Sequence, residues 1–202
     1  WAGCQRELRV SGEDVIVTPL QAGDTDILLV YNYAAPEQRQ FTAELPVREG
    51  APPLVELRVL SRDGEQPAEP NLPIADSEEL RLPSETIQYY GVYQATRGWV
   101  RLETPEISLV PGETRSVELS LEGVDDGREP RTYSGQVRLI SHIPSLTSDT
   151  QPFRVTSGSR ATVSLALTAR DDADWGRKTV VFEVEVGGRR SYFWRPLTIR
   201  RL

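Results

Sequence analysis

The chain has 202 residues, of which 30 are Asp or Glu and 23 Lys or Arg, giving a formal charge of −7, with 38% hydrophobic and 26% charged residues. That length fits one large or two small domains with enough core to need no metal or disulfide staple, and the single cysteine, Cys4, excludes an intramolecular disulfide. The acidic balance disfavours nucleic acid, whose binding depends on basic groups that neutralise phosphates, and no apolar run approaches the roughly 18 residues of a bilayer span.

In chain order, Ala2-Gly3-Cys4 comes first. It resembles the end of a bacterial lipoprotein signal, in which small residues precede an acylated cysteine. Trp1 departs from that pattern, which prefers an aliphatic residue there. The resemblance implies lipid on Cys4, membrane attachment through it, and an extracytoplasmic location for the rest. Residues 1–12 then form a tether. Beyond them a phrase recurs: an apolar run, a glycine-bearing turn and an alternating run. A loose copy is Val15–Val30, the clearest is Ile107–Leu121 around Pro111-Gly112-Glu113, and a third is Phe153–Leu167 around Ser157-Gly158. Period-2 alternation predicts half-buried strands. It does so for Val117–Leu121, Ala161–Leu167 and Val180–Val186. Further strands are expected at Ile27–Tyr33, Gln40–Val47, Leu54–Leu60, Thr86–Tyr93, Trp99–Leu102, Tyr133–Ile140 and Tyr192–Ile199. Turn signals separate them, and Gly187-Gly188 reads as a two-residue hairpin. Asp76-Ser77-Glu78-Glu79 has the form of a capping box; Pro83 limits it to one helical turn. Residues 64–73, rich in Pro and Glu, read as an exposed loop.

About seven strands fall before Thr104 and seven after. The chain is therefore expected to be all-β, two tandem antiparallel β-sandwiches over residues 13–104 and 105–202, with a rival boundary near 142. The segment Trp99–Leu119, followed by Arg131-Thr132-Tyr133-Ser134-Gly135, resembles bacterial immunoglobulin-like modules, which carry a tryptophan, a Pro-Gly-Glu turn, an alternating strand and a Gly-x-Tyr-x-Gly turn. Arg131 stands where glycine is common. The resemblance covers residues 99–141 best and implies stalks, spacers or adhesive units of the envelope. Pro111 and Gly112 suit a type II turn, and Tyr133 suits a tyrosine corner, ring buried and hydroxyl on a backbone group.

Chemistry-bearing residues are sparse. His142 is the only histidine; it cannot build a His-based zinc site alone, and no nucleophile–base–orienter set stands around it. Asp171, Asp172 and Asp174 are the candidate calcium ligands, without EF-hand spacing. Tyr89, Tyr90, Tyr93, Trp99, Tyr192 and Trp194 are the candidate interface or ligand aromatics. Along Tyr192–Trp194 consecutive side chains must face opposite sides, so at least one ring leaves the core. No cofactor motif is present. The expectation is a non-enzymatic extracytoplasmic module whose sheet edges and loops meet protein partners of the cell envelope. The alternative is a carbohydrate-binding or adhesive module built on those aromatics.

Overall fold

A computed structural model describes residues 9–11, 14–33, 39–46, 51–62, 79–81, 85–87, 90–125, 127, 129–140 and 142–201. Every regular element among them is a strand. The chain divides into two compact units, Trp1–Arg97 and Gly98–Leu202. Trp99 and the strand after it thus belong to the second unit, and Pro105 lies inside that unit.

The first unit holds β1 (Arg9–Ser11), β2 (Val15–Ala22), β3 (Thr25–Asn32), β4 (Arg39–Pro46), β5 (Leu54–Arg62), β6 (Glu79–Arg81), β7 (Glu85–Ile87) and β8 (Tyr90–Arg97). One antiparallel sheet runs β2-β3-β8-β5; β4 pairs with β1, β6 and β7. Glu79–Arg81, expected in a helical turn, is instead a strand paired with β4; residues 76–78 lie outside the described residues. Thr86–Tyr93, expected as one strand, is two strands with different partners. A two-residue loop, Gly23-Asp24, joins β2 to β3. Gly23 alone of the pair has a positive φ, 53°, as a II′-type hairpin requires. Leu28, Val30, Leu57, Tyr93 and Ala95 are buried. The register sets Leu28 opposite Tyr93 and Leu57 opposite Ala95, so alternate residues of three strands make one apolar face.

The second unit holds β9 (Val100–Glu103), β10 (Ile107–Leu109), β11 (Thr114–Gly123), β12 (Thr132–Ile140), β13 (Leu146–Ser148), β14 (Thr150–Thr156), β15 (Arg160–Ala169), β16 (Gly176–Val186) and β17 (Arg189–Ile199). They form two sheets, β13-β15-β11-β9 and β10-β17-β16-β12-β14. All pairs are antiparallel except β10 with β17. The first sheet buries Val117, Leu119, Leu121, Val163, Leu165 and Leu167, and the second buries Val137, Phe153, Val180, Phe182, Phe193 and Leu197. Each such side chain contributes roughly 1.5–3 kcal/mol of transfer free energy.

The recurrent phrase has two structural outcomes. At Pro111-Gly112, the Glu113 N–H donates to the Val110 carbonyl at 3.0 Å and Gly112 takes φ 81°, as at position i+2 of a type II turn. The Glu113 carboxylate accepts from the Val110 N–H at 2.8 Å, which explains Glu after Pro-Gly. This turn carries the chain from one sheet to the other, and so does Ser157-Gly158 between β14 and β15. The Val15–Val30 copy instead folds back as a hairpin within one sheet. Gly187 and Gly188 both have positive φ, 57° and 77°, and close the β16–β17 hairpin as a I′-type pair.

Candidate functional site

Cys4 and Tyr89 lie outside the described residues. Tyr93 is 1% exposed and belongs to the core, which removes it from any surface site. Tyr90 is half-buried at the start of β8. Trp99 stacks on Tyr133, ring centroids 6.0 Å apart and planes 11° from parallel; the buried Tyr133 directs its hydroxyl to the Val124 carbonyl at 3.4 Å. Phe193 is the core residue of its trio, which puts Tyr192 and Trp194, both half-buried, on the opposite face of β17. His142 is exposed in the bend after β12. Asp171, Asp172 and Asp174 lie in the β15–β16 loop, where Asp172 pairs with Arg170 at 3.3 Å. Among the described residues no group of three or more His, Cys, Asp or Glu side chains is placed to share a metal ion.

Tyr192 belongs to a polar network. It sits opposite Glu183 in the β16–β17 register, and Glu183 sits opposite Arg138 of β12. Glu183 is 2% exposed and accepts from Arg138 Nε and Nη2, both at 2.8 Å; two charge-assisted donors offset the cost of burying the carboxylate. Arg190 lies 3.3 Å from Glu185 and 4.0 Å from Glu183, and those two carboxylates raise its pKa above the usual value. Burial raises the Tyr192 pKa, and the charge and hydrogen bond of Glu183 add to the effect. Folded Tyr192 therefore holds its proton more tightly than the unfolded chain does. The resulting stability is complete below about pH 10 and is lost as pH rises through the higher folded value. The thermal midpoint is expected to fall in alkali, and Tyr192→Phe to flatten that limb. A Y192F profile parallel to the wild-type one would place the alkaline loss elsewhere.

The most exposed apolar surface among the described residues of the first unit is one that sequence reasoning missed. Ile16 and Leu20 of β2, Leu29 and Tyr31 of β3, and Tyr33 just past β3 are all exposed, Tyr31 by 59% and Tyr33 by 63%. The register places Ile16 opposite Tyr31 and Leu20 opposite Ile27, and Tyr31 lies opposite Tyr90. One sheet face therefore carries a contiguous apolar patch of the kind that marks binding surfaces. The signal was present: Ile27–Tyr33 is apolar at both parities, whereas a half-buried strand alternates. β2 is the outer strand of this sheet, but Pro19 within it has no N–H to offer a further strand. In the second unit the outer strands β9, β10 and β13 span only three or four residues, and β14 contains Pro152. Strand addition is thereby disfavoured at these particular edges; β5, the other outer strand of the β2-β3-β8-β5 sheet, spans nine residues without a proline.

No protein-family model matches the chain, and no curated protein matches it as a relative. Among the described residues no helix is long and apolar enough to cross a membrane.

Proposed function

We propose that this chain is a non-enzymatic interaction module of the cell envelope, built from immunoglobulin-like β-sandwiches and attached to the membrane through lipid on Cys4. The observation that carries the interaction role is the exposed face of Ile16, Leu20, Leu29, Tyr31 and Tyr33. An apolar patch rimmed by polar strand residues favours a protein partner that buries it. The immunoglobulin-like reading is supported by the pairing orders of the second unit, β13-β15-β11-β9 and β10-β17-β16-β12-β14. They correspond to the D-E-B-A and G-F-C orders of that fold, with an extra outer strand at each end of the second sheet, β10 beside G and β14 beside C. The lipid attachment rests on Ala2-Gly3-Cys4; mass spectrometry of the native N-terminus tests it, and an unmodified Cys4 would remove the anchor.

The interaction role is tested by Tyr31→Lys combined with Leu29→Lys. Both positions are exposed, so stability should change by no more than about 0.5 kcal/mol per site. A protein that co-purifies with the wild-type chain from native envelopes should be lost from the double variant and kept by Arg160→Ala, a surface change in the second unit. Retention by the double variant would refute the assignment of this face.

A further inference from the structure

The most exposed large apolar side chain among the described residues is Trp175, at 68%. It lies in the β15–β16 loop, and the sequence reading passed over it. That loop, through Arg170, Asp171 and Asp172, also lines an open depression of about 410 Å³ completed by Gly112, Thr168 and Ala169. The volume falls within the roughly 300–1,000 Å³ of small-molecule sites.

The loop is well anchored. The Ala169 N–H donates to the Glu113 carbonyl and the Arg170 N–H to the Ser145 carbonyl, each at 2.9 Å, and the Ala173 N–H closes a turn onto Arg170 at 3.0 Å. Ala173 is 6% exposed and plugs the loop into the core. On the other side of Trp175, Gly176 takes φ 116°, a conformation that L side chains rarely adopt. A large ring held in solvent between a buried plug and a fixed glycine is presented at little ordering cost on binding.

The lining also selects a chemistry. Arg170 supplies donors, Asp171 and Asp172 supply acceptors, and Thr168 supplies both. Opposite charges in close pairing do not favour a strongly charged ligand. They suit a neutral molecule with many hydroxyls. Trp175 lies three residues beyond Asp172 and outside the lining of the depression, so an oligosaccharide fits that description: the hydroxyls of one ring bridge carboxylate and guanidinium while the C–H face of another stacks on the indole. We infer that the Arg170–Trp175 loop is a saccharide-binding site with Trp175 as its stacking platform. It lies in a different unit from the patch that carries the proposed protein-interaction role, so either can fail without the other.

The test uses the full chain and three neutral hexasaccharides: of β-linked glucose, of α-linked glucose and of β-linked N-acetylglucosamine. Each is titrated to about 10 mM, a range that reaches weak affinities, with tryptophan fluorescence and saturation-transfer NMR as readouts. At least one should bind saturably. Trp175→Ala should weaken that binding at least about tenfold, or 1.4 kcal/mol, with Tm unchanged, and Trp175→Tyr should restore most of it. No saturable binding of any of the three, or equal binding by W175A, would overturn the inference.

Discussion

Replacing Gly135 with alanine is expected to destabilise the second unit by about 3 kcal/mol or more, the upper end of the range for forced overpacking. Gly135 lies inside β12, a strand flanked on both sides, where it pairs with Phe153 of β14 and Val186 of β16. A Cβ built there would stand 1.9 Å from the Glu185 carbonyl oxygen and 3.0 Å from Phe153 Cζ. The first atom is backbone and cannot rotate away, so the β12–β16 ladder itself would have to shift. For a unit of this size, 3 kcal/mol corresponds to a fall of roughly 12–24 °C in Tm. Gly187→Asn is the matched control. Gly187 sits at φ 57° with no atom within 4 Å of a Cβ, and asparagine tolerates that conformation. Its cost should stay below about 1 kcal/mol. Thermal unfolding followed by circular dichroism separates the two variants. A Tm for G135A within a few degrees of wild type would mean that the strands yield more easily than their close approach suggests.

Gly135 also shows how far the sequence could be read. Gly135 falls inside the strand that the sequence predicts at Tyr133–Ile140 and that the structure shows as β12. What the pattern hides is why a glycine stands there: a contact with a chain segment fifty residues away, which local pattern cannot encode. β11 and β15 were legible for the opposite reason: one parity of each is apolar and the other polar, so the buried face announces itself. The Pro-Gly-Glu turn was legible because its geometry is local, down to the glutamate that accepts from Val110. The β2–β3 face was harder. Ile27–Tyr33 is apolar at both parities, a pattern equally consistent with burial on both sides, and only the folded chain, with Leu28 and Val30 buried and Leu29 and Tyr31 exposed, shows which parity faces solvent. The aromatics were misjudged in the same way. Tyr93 stood among the surface candidates and Trp175 did not, yet the first is 1% and the second 68% exposed: Tyr93 shares the core face of β8, opposite Leu28, whereas Trp175 stands in the loop between β15 and β16.

Arg195 is the residue whose role local pattern hides most completely, and its replacement should have the second large effect. It alternates with Phe193 and Leu197 along β17 and shares their buried face, at 3% exposure. There Nη2 donates to the Leu102 carbonyl at 2.6 Å and Nη1 to the Trp194 carbonyl at 2.9 Å, while the guanidinium lies 5.5 Å from the centroid of the Phe193 ring. Leu102 belongs to β9, the outer strand of the opposite sheet. A side chain from one sheet therefore satisfies a backbone acceptor at the edge of the other and ties the two together. Each hydrogen bond from a charged donor is worth about 1.5–3 kcal/mol, so Arg195→Ala, which removes both and leaves a cavity, should cost about 3–5 kcal/mol. Arg195→Met refills the volume but leaves the Leu102 carbonyl without this donor, and Arg195→Lys keeps the charge but lacks the planar fork that reaches two carbonyls. Both should fall between wild type and alanine. Urea unfolding followed by tryptophan fluorescence reads the order directly. If methionine matched the wild type, volume alone would account for Arg195, and the hydrogen bond to β9 would contribute nothing to joining the sheets.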